Sequence, residues 1–215
     1  MLESMRREVL SVARQMARDG LAPASWGNVS ARDPESGLIA ITPSGLDYWL
    51  MEPGDICLLR PDGQQVEGER RPSTEVPMHL AFYRERPDVG GIVHTHSTYA
   101  TCFAALNRPI PAVVATVPSV AGDEIPVCPY LPAGTEELGR AAIQAMGEWR
   151  AVLLANHGVV AVGNNVFAAY NTAQVVEHAA KVYHACLAVG EPHLLSGEQC
   201  RRAREHFVRN YGQRS

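Results

Sequence analysis

Apolar residues at the start of the chain recur at helical spacing. Leu2, Met5, Val9, Val12, Ala13 and Met16 recur at this spacing, and Gly20 supplies a stop. The spacing predicts an amphipathic helix from Leu2 to Arg18. Short β-like runs follow around Asn28-Val29-Ser30, from Leu38 to Thr42 and from Ile56 to Leu59, with Asp62-Gly63 as a turn toward a further short strand. Several antiparallel pairings are expected here. Thr74 is placed to cap a helix from Glu75 to about Arg86, with Pro77 in its first turn, where amide hydrogens lack intrahelical partners. Pro87 ends it, and the strand-like Ile92-Val93-His94 comes next. Ser97 can cap a helix to about Leu106, Ala112 to Val117 reads as a strand, and Gly122-Asp123 lies in a loop. Thr135 caps a helix to Met146, Ala151–Leu154 and Val159–Val162 form two strands, and Val166 to Val189 is a long helix. Ser196 caps a last helix to about Asn210, followed by a short tail that holds Tyr211.

Helices at both ends and a strand-rich middle predict one α/β domain over residues 1–215. It has three layers, with a central mixed, largely antiparallel sheet flanked by helices. Strict βαβ alternation is missing, so a Rossmann fold is not expected, and the chain holds no internal repeat. A length of 215 residues with no low-complexity linker suits a single core. The net charge of −4 argues against a nucleic-acid partner held through its phosphates. Cys57, Cys102, Cys128, Cys186 and Cys200 are odd in number and form no C-x-x-C pair, so neither a disulfide framework nor a thiolate zinc site is expected. The first ten residues lack the apolar core of a signal peptide, and no segment is long enough to span a bilayer. The expectation is a cytoplasmic protein with no membrane partner, working on small molecules.

The chemistry begins at Ile92-Val93-His94-Thr95-His96-Ser97. Alternation along an extended segment puts His94 and His96 on one face with Thr95 turned away, and His157, in Ala155-Asn156-His157-Gly158, follows another apolar run. Three neutral imidazoles would leave a tetrahedral zinc one open position; otherwise these residues are hydrogen-bonded histidines of a buried sheet. Arg71-Pro72-Ser73-Thr74-Glu75 sets two hydroxyls and a carboxylate at a helix start, as a phosphate cradle or as a plain N-cap. Trp26-Gly27-Asn28-Val29-Ser30 and Thr42-Pro43-Ser44-Gly45 have the small, polar composition of loops that let the backbone approach an anion.

Taken in order, Gly27-Asn28-Val29-Ser30, Ile41-Thr42-Pro43-Ser44-Gly45, Pro72-Ser73-Thr74-Glu75, Val93-His94-Thr95-His96, Leu106-Asn107-Arg108, Ile125-Pro126 with Pro129-Tyr130, and Asn156-His157-Gly158 resemble the class II aldolase family over nearly the whole chain. That family includes fuculose-1-phosphate aldolase and ribulose-5-phosphate 4-epimerase. The resemblance implies one zinc ion per subunit on His94, His96 and His157, with Glu75 as a possible fourth ligand or as the acid and base. It implies a substrate phosphate held near Gly27, Asn28, Ser44, Gly45, Ser73 and Thr74, and a homotetramer with active sites at subunit contacts. The implied reaction cleaves a ketose 1-phosphate to dihydroxyacetone phosphate and an aldehyde through a zinc-stabilised enediolate.

The chain departs from the family at three places. Ala115 stands where fuculose-1-phosphate aldolase carries a tyrosine that reaches in from a neighbouring subunit. Ala133 replaces an aromatic residue of the aldehyde pocket, and Pro118 and Ser119 lie where the epimerase-type aspartate is missing. Another group or water then supplies the proton, and the changes suit a less polar or bulkier aldehyde tail, such as a 5-deoxy or methylthio ketose 1-phosphate. Tyr211 can supply the missing phenol or be an exposed terminal tyrosine. A methylthioribulose-1-phosphate dehydratase or a sugar-phosphate 4-epimerase on the same scaffold is the alternative, but the extra acid that resembles the dehydratase is absent from Ser97 to Asn107. A non-catalytic adducin-like head would not need the three histidines and Glu75. His79 reads as an outer neighbour of Glu75, whereas His178, His184, His193, His206, Glu124 and Glu177 have no assigned role.

Overall fold

Side-chain alternation along the strands decides the layering. Ile92, Val160 and Val162 enter one apolar cluster and Val93 and Ala161 another, so both sheet faces are buried and each needs a cover of helices. In the computed structural model, which describes residues 2–212, the chain runs through α1 (Glu3–Arg18), β1 (Asn28–Arg32), β2 (Ile39–Ile41), β3 (Cys57–Leu59) and β4 (Gln65–Glu67). Next come α2 (Val76–Glu85), β5 (Gly91–Thr95), α3 (Thr98–Ala105), β6 (Ile110–Pro111), α4 (Thr116–Val120), β7 (Glu124–Ile125) and β8 (Val127–Cys128). The chain closes with α5 (Glu136–Met146), β9 (Ala151–Leu154), β10 (Gly158–Gly163), α6 (Val166–Val189) and α7 (Gly197–Asn210).

The main sheet has the order β4-β3-β2-β1-β5-β10-β9-β8, antiparallel throughout except where β8 runs parallel to β9. One face packs on α1 and the start of α6, through Val9, Val12, Ala13, Met16 and Ala169. The other packs on α2 and α5, through Met78, Phe82, Leu138 and Ala142. A third cluster joins α3 and the later part of α6 to Leu153 and Val159. The expected mixed sheet between helical layers is therefore the architecture found.

Two local expectations fail. Ala112–Val117 is not a strand: only Ile110–Pro111 pairs, with β7, and α4 begins at Thr116. The β-branched run has found a helical cluster rather than a sheet edge, since Ala112 and Val117 bury against Phe103 and Tyr183. Pro118 fits the first turn of α4, where no amide hydrogen is needed. Thr74 does not cap α2 either; Glu75 takes the cap position, and the Ser73 hydroxyl accepts its amide hydrogen at 3.2 Å.

The centre of the sheet sets the functional geometry. β5 lies between β1 and β10, so that His94 stands opposite Asn28 on one side and Val160 on the other. The β9–β10 hairpin turns through Ala155-Asn156-His157, with Asn156 in the left-handed region at φ 55°, where Asn is tolerated. Gly158 then passes so close to β5 that a Cβ would lie 2.3 Å from the Thr95 carbonyl oxygen. Gly158→Ala should therefore destabilise the protein by about 1–3 kcal/mol through overpacking. Chemical denaturation checks this, and an unshifted midpoint would show that the hairpin can move away at no cost.

Candidate metal centre and active-site cleft

The parity of β5 points His94 to the same side as Ile92, toward α2, and the first residue before that helix is Glu75. The result is a cluster from three distant segments. His94 and His96 bring their Nε2 atoms to 3.0 Å, and Glu75 Oε2 lies 3.0 Å from His94 Nε2. His157, thrown from the hairpin turn, places Nε2 3.5 Å from Glu75 Oε1. One nitrogen from each of the three imidazoles lies within 4.8 Å of the others, and the ring planes are steeply inclined rather than stacked.

This donor set fits a divalent cation on its own terms. His94 Nδ1 is 2.9 Å from the Val159 carbonyl oxygen, which can only accept, so Nδ1 carries hydrogen and Nε2 turns its lone pair inward. Glu75 Oε1 is buried and has no hydrogen-bond partner, which is costly for a carboxylate unless a cation completes it. Burial by itself would raise the Glu75 carboxyl, but His94, Asn28 and His157 outweigh it and hold the group well below the usual carboxylate range. Burial, then His94 and His157, push His96 down to about 4, and burial with His94 lowers His157. Burial opposes a charge on His94 too, yet the adjacent Glu75 raises it. At neutral pH at least two of the three imidazoles are thus free bases, ready as ligands.

Beside the centre lies a cleft of about 350 Å³. Gly27, Asn28, Ser44, Gly45, Ser73 and Thr74 all line it, together with Glu75, His96, His157 and the apolar Ala133. No lysine or arginine does so among the described residues, which leaves hydroxyls, amides and the N-terminus of α2 to face an anion. Gly27 is required by contact: its φ is 124°, and a Cβ would lie 2.8 Å from the His94 carbonyl oxygen. Its own carbonyl oxygen accepts from the Tyr48 hydroxyl at 2.7 Å. Asn28 Nδ2 donates to Glu75 Oε2 at 2.8 Å, and its Oδ1 lies 2.5 Å from His79 Nε2, which places His79 directly behind the carboxylate's partner. Burial pushes the His79 imidazole down to about 3.

Tyr211 stands apart. It caps the end of α7, exposed and stacked on Phe207, and does not line the cleft of its own chain. Two residues gained a role that the sequence had not suggested. Glu177 on α6 accepts the amide hydrogens of Tyr99 and Ala100 at 3.0 and 2.9 Å, capping α3 directly after His96. Nothing local in the sequence signals a cap supplied from 77 residues away. Trp26, half of a loop motif by composition alone, lies edge-on to His96 with ring centroids 5.9 Å apart.

Residues 7–184 match the family model described as Class II Aldolase and Adducin N-terminal domain. The chain is 40% identical over 213 residues to a 5-deoxy-D-ribulose 1-phosphate aldolase of Bacillus thuringiensis serovar kurstaki, covering 99% of each chain. It is 40% identical over 209 residues to a 5-methylthioribulose-1-phosphate/5-deoxyribulose-1-phosphate aldolase of Rhodospirillum rubrum, covering 97% of this chain and 93% of that one. Among solved structures, an L-fuculose 1-phosphate aldolase superposes with a TM-score of 0.92 at 40% identity, covering 95% of this chain and 96% of that one.

Purified protein is expected to bind one equivalent of divalent cation, with occupancy falling as pH drops and His94 is protonated, because only the free base can ligate. His157→Ala should weaken binding by more than the roughly 10–100-fold that loss of an outer partner costs. Metal analysis after dialysis, across a pH series, reads both effects.

Proposed function

The chain belongs to the class II aldolase and adducin N-terminal domain family, and we propose that it is a divalent-metal aldolase that cleaves a ketose 1-phosphate to dihydroxyacetone phosphate and an aldehyde. The observation that carries this reading is the buried Oε1 of Glu75, which lacks a hydrogen-bond partner, beside three converging imidazoles. His94, His96 and His157 would hold the cation, zinc in the general habit of the family, and Glu75 could offer a fourth donor oxygen. When bound, the ion supplies Lewis-acid stabilisation of the negative charge that develops next to the substrate carbonyl.

The remaining work falls to side chains and amides. Ser44, Ser73, Thr74, Gly27, Gly45 and the second N–H of Asn28, which share the cleft, would hold the phosphate, with the first amides of α2 behind them. Fixing that end orients the reacting carbon toward Glu75 and turns binding energy into alignment. As the carbon–carbon bond opens, its electron pair stays with the ketose half, and that carbon takes a proton from Glu75, which, being ionised in the free protein, must first have received one from solvent. In the condensing direction Glu75 removes the same proton. The hydroxyl on the departing half must lose its own proton to a different group. Since Tyr211 lies away from its own cleft, it would serve only from a neighbouring subunit, which accords with a homotetramer whose sites lie at subunit contacts. Exposed Trp26, Trp49 and Leu50 offer apolar surface for such contacts.

The aldehyde end meets Ala133 rather than an aromatic or polar side chain. That favours a tail without hydroxyls, a 5-deoxy or methylthio ketose 1-phosphate, in keeping with the two bacterial relatives at 40% identity. Among the described residues no helix is long and apolar enough to cross a membrane, and all five cysteines are free, which suits work in the reducing cytoplasm.

Two measurements test this reading. Glu75→Gln should keep its metal but lose about 10²–10⁴-fold in turnover, the usual worth of general acid–base action; a wild-type rate in that variant would remove Glu75 from the chemistry. A panel of ketose 1-phosphates, assayed for dihydroxyacetone phosphate release, should show kcat/KM for 5-deoxy and methylthio substrates exceeding that for fuculose 1-phosphate by about 10–200-fold. A dehydrated diketone in place of the aldehyde would assign the scaffold to elimination instead.

A further inference from the structure

We propose that the buried chain Tyr83–Ser30–His79–Asn28 is a positioning device that decides which oxygen of Glu75 acts as the base, with His79 as its directing member. The inference rests on the reading of Glu75 as the proton-moving group.

Two periodicities build the chain. Asn28 and Ser30 alternate onto one face of β1, while Glu75, His79 and Tyr83 form a stripe at intervals of four along the start and body of α2. The Tyr83 hydroxyl and Ser30 Oγ are 2.7 Å apart, Ser30 Oγ and His79 Nδ1 2.7 Å, His79 Nε2 and Asn28 Oδ1 2.5 Å, and Asn28 Nδ2 and Glu75 Oε2 2.8 Å. All five residues are buried.

Hydrogen-bond chemistry leaves this chain one direction. An ionised carboxylate only accepts, so Asn28 must turn its NH₂ group to Glu75 and its carbonyl oxygen to His79. That carbonyl oxygen also only accepts, so His79 Nε2 carries the hydrogen. A neutral imidazole then has an acceptor at Nδ1, which takes the Ser30 hydroxyl hydrogen, and Ser30 Oγ in turn accepts from Tyr83. Turning the Asn28 amide over would set oxygen against carboxylate inside the core, a high cost without water to relieve it. A cationic His79 would donate from both nitrogens and break the link to Ser30 only if that hydroxyl could not rotate.

The consequence lies at the far end. Oε2 is held as an acceptor by the Asn28 amide, while Oε1 keeps no hydrogen-bond partner. The two oxygens are thereby made unequal, and Oε1 is reserved for the reacting carbon. Without His79 the Asn28 carbonyl oxygen is left unpartnered, its amide is free to turn, and the carboxylate can rotate away from its working orientation.

Nitrogen-15 NMR of metal-free, histidine-labelled protein at neutral pH should find His79 with hydrogen on Nε2 and a bare Nδ1; hydrogen on Nδ1 alone overturns the proposal. This spectrum needs no substrate, so it judges the chain whether or not the ketose phosphates are turned over. In kinetics, His79→Leu should lower kcat about tenfold or more with KM changed less than about threefold, within the span of general acid–base action. His79→Gln, whose amide N–H can replace Nε2–H, should recover most of the loss. A wild-type kcat in His79→Leu, or a loss that follows melting temperature in both variants without recovery in His79→Gln, overturns it. If His79→Leu does not fold, the spectrum and His79→Gln still decide.

Discussion

A carboxylate taken out of water must be compensated, and Glu75 is the group whose compensation organises this molecule. It is 7% exposed, at the start of a helix, with one oxygen accepting from Asn28 and lying 3.0 Å from His94 Nε2, and the other beside His157 without a hydrogen bond. Removing a charge from solvent costs several kcal/mol in a real protein interior unless partners and hydrogen bonds repay it. The imidazoles repay part of that cost in the bare protein, and a cation would repay the rest. The same arrangement that stabilises the ionised carboxylate leaves one of its oxygens without a hydrogen bond, so the electrostatic balance and the proposed chemistry share one geometry.

That geometry depends on strand register. His94 faces α2 because β5 is paired with β1 and β10 so that His94 lies opposite Asn28 and Val160. A slip of one residue would send His94 to the α1 and α6 face and bring Val93 to the centre. Register is pinned by apolar alternation on two buried faces and by close approaches that only glycine permits, Gly27 against the His94 carbonyl and Gly158 against the Thr95 carbonyl. Glu177 adds a further restraint by capping α3, which begins immediately after the His-x-His segment.

The cleft divides its labour in a way that suits a family with many substrates. No basic side chain lines it among the described residues, so an anion would rest on hydroxyls, amides and a helix terminus, which are fixed in place by the fold. The wall at Ala133 lies on a loop and can vary without disturbing the sheet. On the proposed reading, chemistry and phosphate recognition would belong to the scaffold, and the identity of the departing aldehyde to a few replaceable positions.

Most helices and the central strands were legible in the chain because their signals are local: the α1 stripe, the Asn165 to Val189 run, the caps at Thr135 and Ser196, and the apolar pairs around His94 and His157. Ala112–Val117 misled because β-branched residues read as strand wherever they occur, while its side chains had a helical cluster to enter and two prolines, Pro111 and Pro118, beside it. The cap on α2 passed from Thr74 to Ser73 because the turn before the helix, which local residue types do not specify, decides which hydroxyl reaches the amide. The sequence by itself determined the types of donor group, the alternation that pairs His94 with His96, and the spacing that sets Glu75, His79 and Tyr83 on one stripe. Only the tertiary structure decided that β1 would lay Asn28 and Ser30 across that stripe, that the hairpin would deliver His157, and that Glu177 would cap α3. Those contacts join segments roughly 50 to 80 residues apart, and no local propensity encodes a distance of that kind; it arises when buried faces and polar groups must all be satisfied at once.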